Sequence, residues 1–357
     1  MAAKSKSKLE PEDIQMNSPI KKVSPGVGLD IGTMNIVAAR QENGKGVTRL
    51  IRDAFLDLDM DAKRSLKLSN VDYIETDTHL VVVGNEALNM ANLFKREARR
   101  PLSQGVISAG ELDAQEILGI LINRVVGDPQ VEDEPVFYSV PAEPIDKPGQ
   151  DIVYHTEIFR AILQEQGFVG HPTNEAMAII YSQCAAENFS GLSVSYGAGM
   201  GNVALAYQAT AGMEFAISRG GDWVDQHAAN AVGKTASQMC SIKEQGVDLA
   251  NPKGRDQQAI AMYIRNLVNY TLKNIAQEFK KVQNSINLPG AVPFIVSGGT
   301  TKAGGFMDIF TDELEKVRKK GFPIEISEVR HATDPLTAVA EGLLVLAMEE
   351  YEERQAG

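Results

Sequence analysis

The sequence predicts an α/β fold organised in about two domains. Strand-like apolar runs alternate with helix-patterned segments along the chain, the order expected of sheets covered by helices. At 357 residues the chain has room for about two domains and a large core. Three of the strand-like runs, residues 27–31, 192–195 and 294–296, lead straight into Gly-containing segments.

Those segments are Gly28-Leu29-Asp30-Ile31-Gly32-Thr33-Met34-Asn35, Ser195-Tyr196-Gly197-Ala198-Gly199-Met200-Gly201-Asn202 and Ser297-Gly298-Gly299-Thr300-Thr301. One Gly-rich loop marks little more than a turn. Three in this order and spacing fit a single nucleotide clamp. A phosphate chain needs backbone N–H groups at close range, and a side chain larger than hydrogen obstructs that approach. The first two segments read as hairpin turns facing each other across a cleft. Gly32, Thr33, Met34 and Asn35 would serve one side of a triphosphate. Gly197, Ala198, Gly199, Met200, Gly201 and Asn202 would serve the other. Asp30, at the end of its strand, suits a hydrated Mg²⁺ held through its waters.

Further segments carry a resemblance. Val83-Gly84-Asn85-Glu86-Ala87 is similar to a VGxEA pattern, and Arg100-Pro101 followed by Gly105-Val106-Ile107 to RP-x-x-x-GVI. Val140-Pro141-Ala142 is similar to the end of a core strand, and Asn174-Glu175-Ala176-Met177-Ala178 to EEPMAAA. Gly220-Gly221-Asp222-Trp223-Val224-Asp225 is similar to GGDxxD, and Asp334-Pro335-Leu336-Thr337-Ala338-Val339-Ala340-Glu341-Gly342 to DPLTxVAxG. Together they resemble the actin-like ATPase superfamily, and within it the bacterial shape-determining actins of the MreB family, from about Gly26 to about Met348. The resemblance implies an actin-like (ribonuclease H-like) two-lobe fold with a nucleotide cleft between the lobes. It also implies ATP and Mg²⁺ as cofactors, self-association into filaments and slow ATP hydrolysis.

The elements then follow in order. Residues 1–25, rich in Lys, Ser, Pro and Glu, read as a disordered tail. The first lobe spans 26–181 and returns at 330–350, with a small inserted subdomain at about 55–100. A helix over about 152–166 precedes the first connecting helix, which starts near Asn174. The second lobe spans 182–329 and opens near Leu192, with a helical subdomain at about 222–288. Within it, Ile260, Ile264, Leu267, Val268, Leu272 and Ile275 give residues 257–281 an amphipathic helical period. The family's β-hairpin after Gly246 is replaced by a short polar link, so this subdomain is reduced. Gly304-Gly305 opens the next helix.

The resemblance also assigns roles. Ser241-Ile242-Lys243-Glu244-Gln245 is similar to the family's IKE segment, which implies Lys243 over the base and Glu244 accepting from a ribose hydroxyl. Gly298, Gly299 and Thr300 would bring backbone against the adenine or α-phosphate. Glu175 matches the acid that orients the attacking water, so Glu175 and Asp30 are the candidate catalytic residues. The family's DxGxGT carries an acid where Ser195 stands here, so turnover is expected to be slow.

Composition excludes other classes. A net charge of -12 argues against a nucleic-acid surface. No run is long and apolar enough to span a bilayer, and the N-terminal residues carry no apolar h-region. Cys184 and Cys240 lie outside any CxxC pattern, and the five His residues form no ligand spacing, so a cytoplasmic chain with reduced thiols is expected. The glutamates at 349, 350, 352 and 353 read as a solvated helix end. The expected partners are further copies of the chain, with a cytoplasmic adaptor as an additional candidate. Two other readings stay open: a non-hydrolysing switch or scaffold of the same fold, and a chaperone-like or small-molecule kinase ATPase.

Overall fold

The computed structural model describes residues 23–356 with the exception of 109, 112, 151 and 287. The assigned tail therefore lies outside the described residues up to position 22. Its last three positions do not belong to a tail, because the first strand begins at Val23.

In chain order, the first part contains β1 (Val23–Ile31), β2 (Asn35–Glu42), β3 (Lys45–Arg52), β4 (Phe55–Leu58), α1 (Lys63–Leu68), β5 (Ile74–Glu75), β6 (Leu80–Val83) and α2 (Asn85–Phe94). There follow β7 (Leu102–Ser103), β8 (Val106–Ile107), α3 (Ala114–Val126), β9 (Glu134–Val140), α4 (Ile152–Glu165), β10 (Phe168–Asn174) and α5 (Glu175–Gln183). The second part contains β11 (Gly191–Tyr196), β12 (Gly201–Tyr207), β13 (Thr210–Ile217), α6 (Gly221–Val232), α7 (Ala236–Glu244) and α8 (Gly254–Val282). It ends with β14 (Val292–Ser297), α9 (Phe306–Arg318), β15 (Ile326–His331) and α10 (Ala338–Ala356).

Two five-stranded mixed sheets, ordered β10-β9-β1-β2-β3 and β13-β12-β11-β14-β15, form the centres of the two lobes. Each opens with an antiparallel hairpin, β1–β2 and β11–β12, whose tight turn is one of the first two Gly segments. Parallel pairing of β1 with β9 and of β11 with β14 places the hairpin strand inside each sheet. Apolar side chains pack on these strands. Leu118, Leu121 and Ile122 of α3 and Phe159 of α4 fill the first core, and Ile264, Leu267 and Leu272 of α8 help fill the second.

A smaller sheet, β4-β6-β5, forms the inserted subdomain with α1 and α2, and the backbone pairing of Phe55 with Arg99 closes its base. In the second lobe, the segment after Gly246 is less polar in character than its sequence suggests. Val247 and Leu249 are buried, and Asp248 pairs with the backbone of Gly304, which pins the link to the lobe before α8 starts.

Helices α5 and α10 connect the halves and cross each other closely. A Cβ placed at Gly342 would lie 1.8 Å from the Ala178 carbonyl oxygen, so only glycine permits this approach. Asn174 caps α5, accepting at Oδ1 from the N–H groups of Ala176 at 2.8 Å and Met177 at 3.2 Å. Arg40 of β2 ties the start of β9 to the end of α3: its Nη1 meets Glu134 at 2.7 Å and its Nε donates to the Val126 carbonyl at 3.0 Å, all of it buried.

Candidate functional site

The two hairpin turns face each other across a cavity of about 610 Å³. That volume is within the ordinary range for small-molecule sites, roughly 300–1,000 Å³. Gly32, Thr33, Met34 and Asn35 line it from the first lobe, and Gly197, Ala198, Gly199, Met200 and Asn202 from the second. Gly298, Gly299 and Thr300 close the side beside Pro335 and Leu336, and Lys243 and Glu244 reach it from α7. Gly201 does not line the cavity. It starts β12, where an added Cβ would meet Ile217 at 3.0 Å, so its space is taken by the core rather than by a ligand.

The turns have backbone reasons for their shape. Gly32 N–H donates to the Asn35 carbonyl, and Gly197 N–H to the Met200 carbonyl, each at 3.0 Å. Thr33 Oγ1 accepts from Gly105 N–H at 3.1 Å, fixing the first turn to the segment between β7 and β8. Gly199 packs closely against the first lobe: a Cβ there would lie 2.4 Å from Gly105 N and 2.5 Å from Thr33 Oγ1. The Thr300 hydroxyl donates to the Gly197 carbonyl at 3.0 Å, which joins the third Gly segment to the second.

Between the turns lie the two carboxyls. Ser139 Oγ donates to Asp30 Oδ1 at 2.8 Å and accepts from Ile31 N–H at 2.8 Å. Ser195 Oγ donates to Glu175 Oε1 at 2.5 Å, and Asn202 Nδ2 to Glu175 Oε2 at 2.7 Å. Asn202 Oδ1 in turn accepts from Ala142 N–H at 3.0 Å. Ser195 therefore does not leave a vacancy where the family has an acid; it holds Glu175. Burial pushes Glu175 up to about 8, the negative charge of Asp30 adds to this, and the two hydrogen bonds oppose it. Burial likewise pushes Asp30 up to about 6 against the hydrogen bond from Ser139. Both carboxyls are thus held above the ordinary carboxylate range, as expected where two acids share one cleft.

This arrangement fits a hydrated divalent cation with a phosphate chain. Among the described residues no cation is named beside the two raised carboxyls, and a cation bound through water supplies one without a dedicated ligand cage. Among the described residues no group of three or more His, Cys, Asp or Glu side chains is placed to hold a metal directly.

Both α7 residues that line the cavity are already paired. Lys243 Nζ is held by Asp225, at 2.8 Å from Oδ1 and 2.7 Å from Oδ2, in a pair with side chains only 10% and 2% exposed. Its ammonium is thereby committed to the GGDxxD segment rather than free over a base. Glu244 Oε1 meets Arg52 Nη2, from the end of β3 in the opposite lobe, at 2.7 Å. Arg52, Ser139 and Lys302 also line the cavity and were not singled out from the sequence, and Gly105 was read only as part of the RP-x-x-x-GVI segment. The available signal was a polar residue within an apolar run: Ser139 interrupts Val136-Phe137-Tyr138 much as Ser195 follows Leu192-Ser193-Val194.

A family model described as Volactin matches residues 26–347. The chain belongs to the Volactin family. No curated protein sequence matches it. Among solved structures it is similar to a MamK double helical filament, at 19% identity and a TM-score of 0.70, over 90% of this chain and 98% of that one. It is similar to MreB5 of Spiroplasma citri bound to ADP at 17% identity and a TM-score of 0.62, over 93% and 99%. It is also similar to the ethanolamine utilization protein EutJ from Carboxydothermus hydrogenoformans at 16% identity and a TM-score of 0.54, over 90% and 92%. The Volactin-family chain therefore has the actin-like two-lobe fold. No helix among the described residues is long and apolar enough to cross a membrane.

Proposed function

We propose that this Volactin-family chain binds ATP with Mg²⁺ between its lobes and assembles into cytoskeletal filaments, with slow hydrolysis, in the cytoplasm. The observation that carries the reading is the pair of glycine hairpin turns facing one cavity, with Asp30 and Glu175 between them. The similar MamK structure is a double helical filament and the similar MreB5 is bound to ADP, which supports assembly and nucleotide binding here.

In this reading the turn amides of residues 32–35 and 197–200 bind the phosphates, and Asp30 would hold Mg²⁺ through its waters. The bound cation would neutralise phosphate charge and favour the ionised carboxyls. Ser139 orients Asp30, and Ser195 with Asn202 orients Glu175 toward the same space. Glu175 would position the attacking water. The close approach of Gly199 to Gly105 and Thr33 would help to exclude bulk solvent from the phosphates.

A second reading, a nucleotide-binding switch that does not hydrolyse, is favoured by one observation. Both oxygens of Glu175 already accept hydrogen bonds, so it is a constrained partner for water. Sedimentation of the purified chain with and without ATP–Mg²⁺, with phosphate release measured in parallel, separates the two. Nucleotide-dependent pelleting with slow release supports filaments; pelleting absent at all concentrations supports the switch. Calorimetric titration of Asp30→Ala and Gly299→Leu tests the site itself, and unchanged ATP affinity in both variants refutes it.

A further inference from the structure

The Arg52–Glu244 ion pair spans the lobes at the nucleoside end of the cavity. Arg52 ends β3 in the first lobe, Glu244 ends α7 in the second, and both line the cavity. Their side chains are 24% and 44% exposed, so the pair is reachable from the cleft and screened by salt. Only Oε1 of Glu244 is engaged, at 2.7 Å, and among the described residues Oε2 has no hydrogen-bond partner. A carboxylate gripped at one oxygen by a planar guanidinium loses rotational freedom, and its second oxygen acquires a fixed direction.

We propose that Arg52 is a positioning residue that couples ribose recognition to lobe closure. It rests on the nucleotide reading of this cavity and deepens it. Because Arg52 belongs to the opposite lobe, it can orient Glu244 only when the lobes are closed. The open protein then presents a mobile, solvated carboxylate, and the closed protein a fixed acceptor for a ribose hydroxyl. A second cross-lobe pair isolates the effect. Arg100 Nη2 meets Asp222 Oδ2 at 3.0 Å, and neither residue lines the cavity. Breaking Arg100–Asp222 raises the cost of closing for either nucleotide alike, while the closed, nucleotide-bound state keeps Arg52 on Glu244.

The test measures calorimetric or fluorescence affinities of the full chain for ATP–Mg²⁺ and for 2′,3′-dideoxy-ATP–Mg²⁺, which lacks both hydroxyls. The wild-type chain is expected to prefer ATP by about ten-fold, the scale of one hydrogen bond to a charged acceptor. Arg52→Gln is expected to lower that ratio to about two-fold while dideoxy-ATP still binds. Arg52→Lys, which keeps the charge but not the fork, gives an intermediate ratio and serves if the first variant folds poorly. Arg100→Gln weakens both ligands by a similar factor and leaves the ratio intact. Arg52→Gln combined with Glu244→Gln is expected to lower the ratio no further than Glu244→Gln alone. If the ratio survives Arg52→Gln, or if the two losses multiply, the coupling is refuted while nucleotide binding stands. If neither ligand binds the wild-type chain, the nucleotide reading itself fails.

Discussion

Introducing an acid at Ser195 tests the central claim about the site, that two half-buried carboxyls with raised values already crowd it. Ser195 is 1% exposed, and its Oγ lies 2.5 Å from Glu175 Oε1. Ser195→Asp replaces a donated hydrogen bond, worth about 1 kcal/mol, with a third carboxyl facing Glu175. Two ionised carboxyls about 4 Å apart repel by about 4 kcal/mol at an effective dielectric near 20, and holding a proton relieves part of that. The metal-free variant should therefore lose about 2–4 kcal/mol. That corresponds to a melting temperature lower by on the order of 5 °C for a chain of this size.

The pH dependence carries a definite sign. The folded values of Asp30, about 6, and Glu175, about 8, lie above their ordinary values of 3.8 and 4.5. Raised carboxyls favour the folded state below those ordinary values, and the advantage is lost as pH rises through about 6 and then 8. Metal-free wild-type protein should melt progressively lower from pH 5 to pH 8, and Ser195→Asp more steeply still. ATP with Mg²⁺ should raise both melting temperatures by a similar amount, because ATP affinity changes little, and phosphate release should rise by up to ~10²-fold. Differential scanning calorimetry at pH 5, 6.5 and 8, with and without nucleotide, reads this directly. Equal melting temperatures for the metal-free wild type and variant at pH 8 would refute the crowding argument.

Other perturbations test the scaffold. Gly342→Leu must push α10 away from α5, because even a Cβ would lie 1.8 Å from the Ala178 carbonyl; urea unfolding should show a loss of about 3 kcal/mol or more, and an unchanged midpoint contradicts the helix crossing. His155 is buried with neither ring nitrogen hydrogen-bonded, and burial lowers it to about 4 from 6.5. Its stabilising effect is full above pH 6.5 and is lost as pH falls toward 4, so His155→Leu should remove about 2 kcal/mol of acid destabilisation at pH 5; an identical acid profile for both proteins counts against it. Arg40→Met leaves Glu134 buried without its ion partner and should cost about 3–5 kcal/mol in denaturant titration, whereas a loss below 1 kcal/mol shows that the site relaxes or hydrates.

How much of this was readable from sequence depends on whether a feature is set locally or across the chain. The hairpin turns were legible because turn geometry is a local property of Gly32-Thr33-Met34 and Gly197-Ala198-Gly199. Gly342 was legible only through resemblance; its physical reason, the Ala178 carbonyl, lies more than a hundred residues away. The partners of Lys243 and Glu244 were not legible for the same reason. Residue type announced a lysine and a glutamate near a nucleoside, but the charge each would meet is set by tertiary neighbours. Asp225 reaches Lys243 from α6, one helix back, and Arg52 reaches Glu244 from the other lobe, 192 positions distant. Ser195 shows the opposite case. Its departure from the family acid was visible in the chain, but its consequence was not, because the consequence belongs to Glu175 on a different element. In this cleft, the missing acid and the raised Glu175 are therefore one feature: with Ser195 donating, Glu175 can remain in the site beside Asp30, and an acid at 195 would require the cation to hold all three.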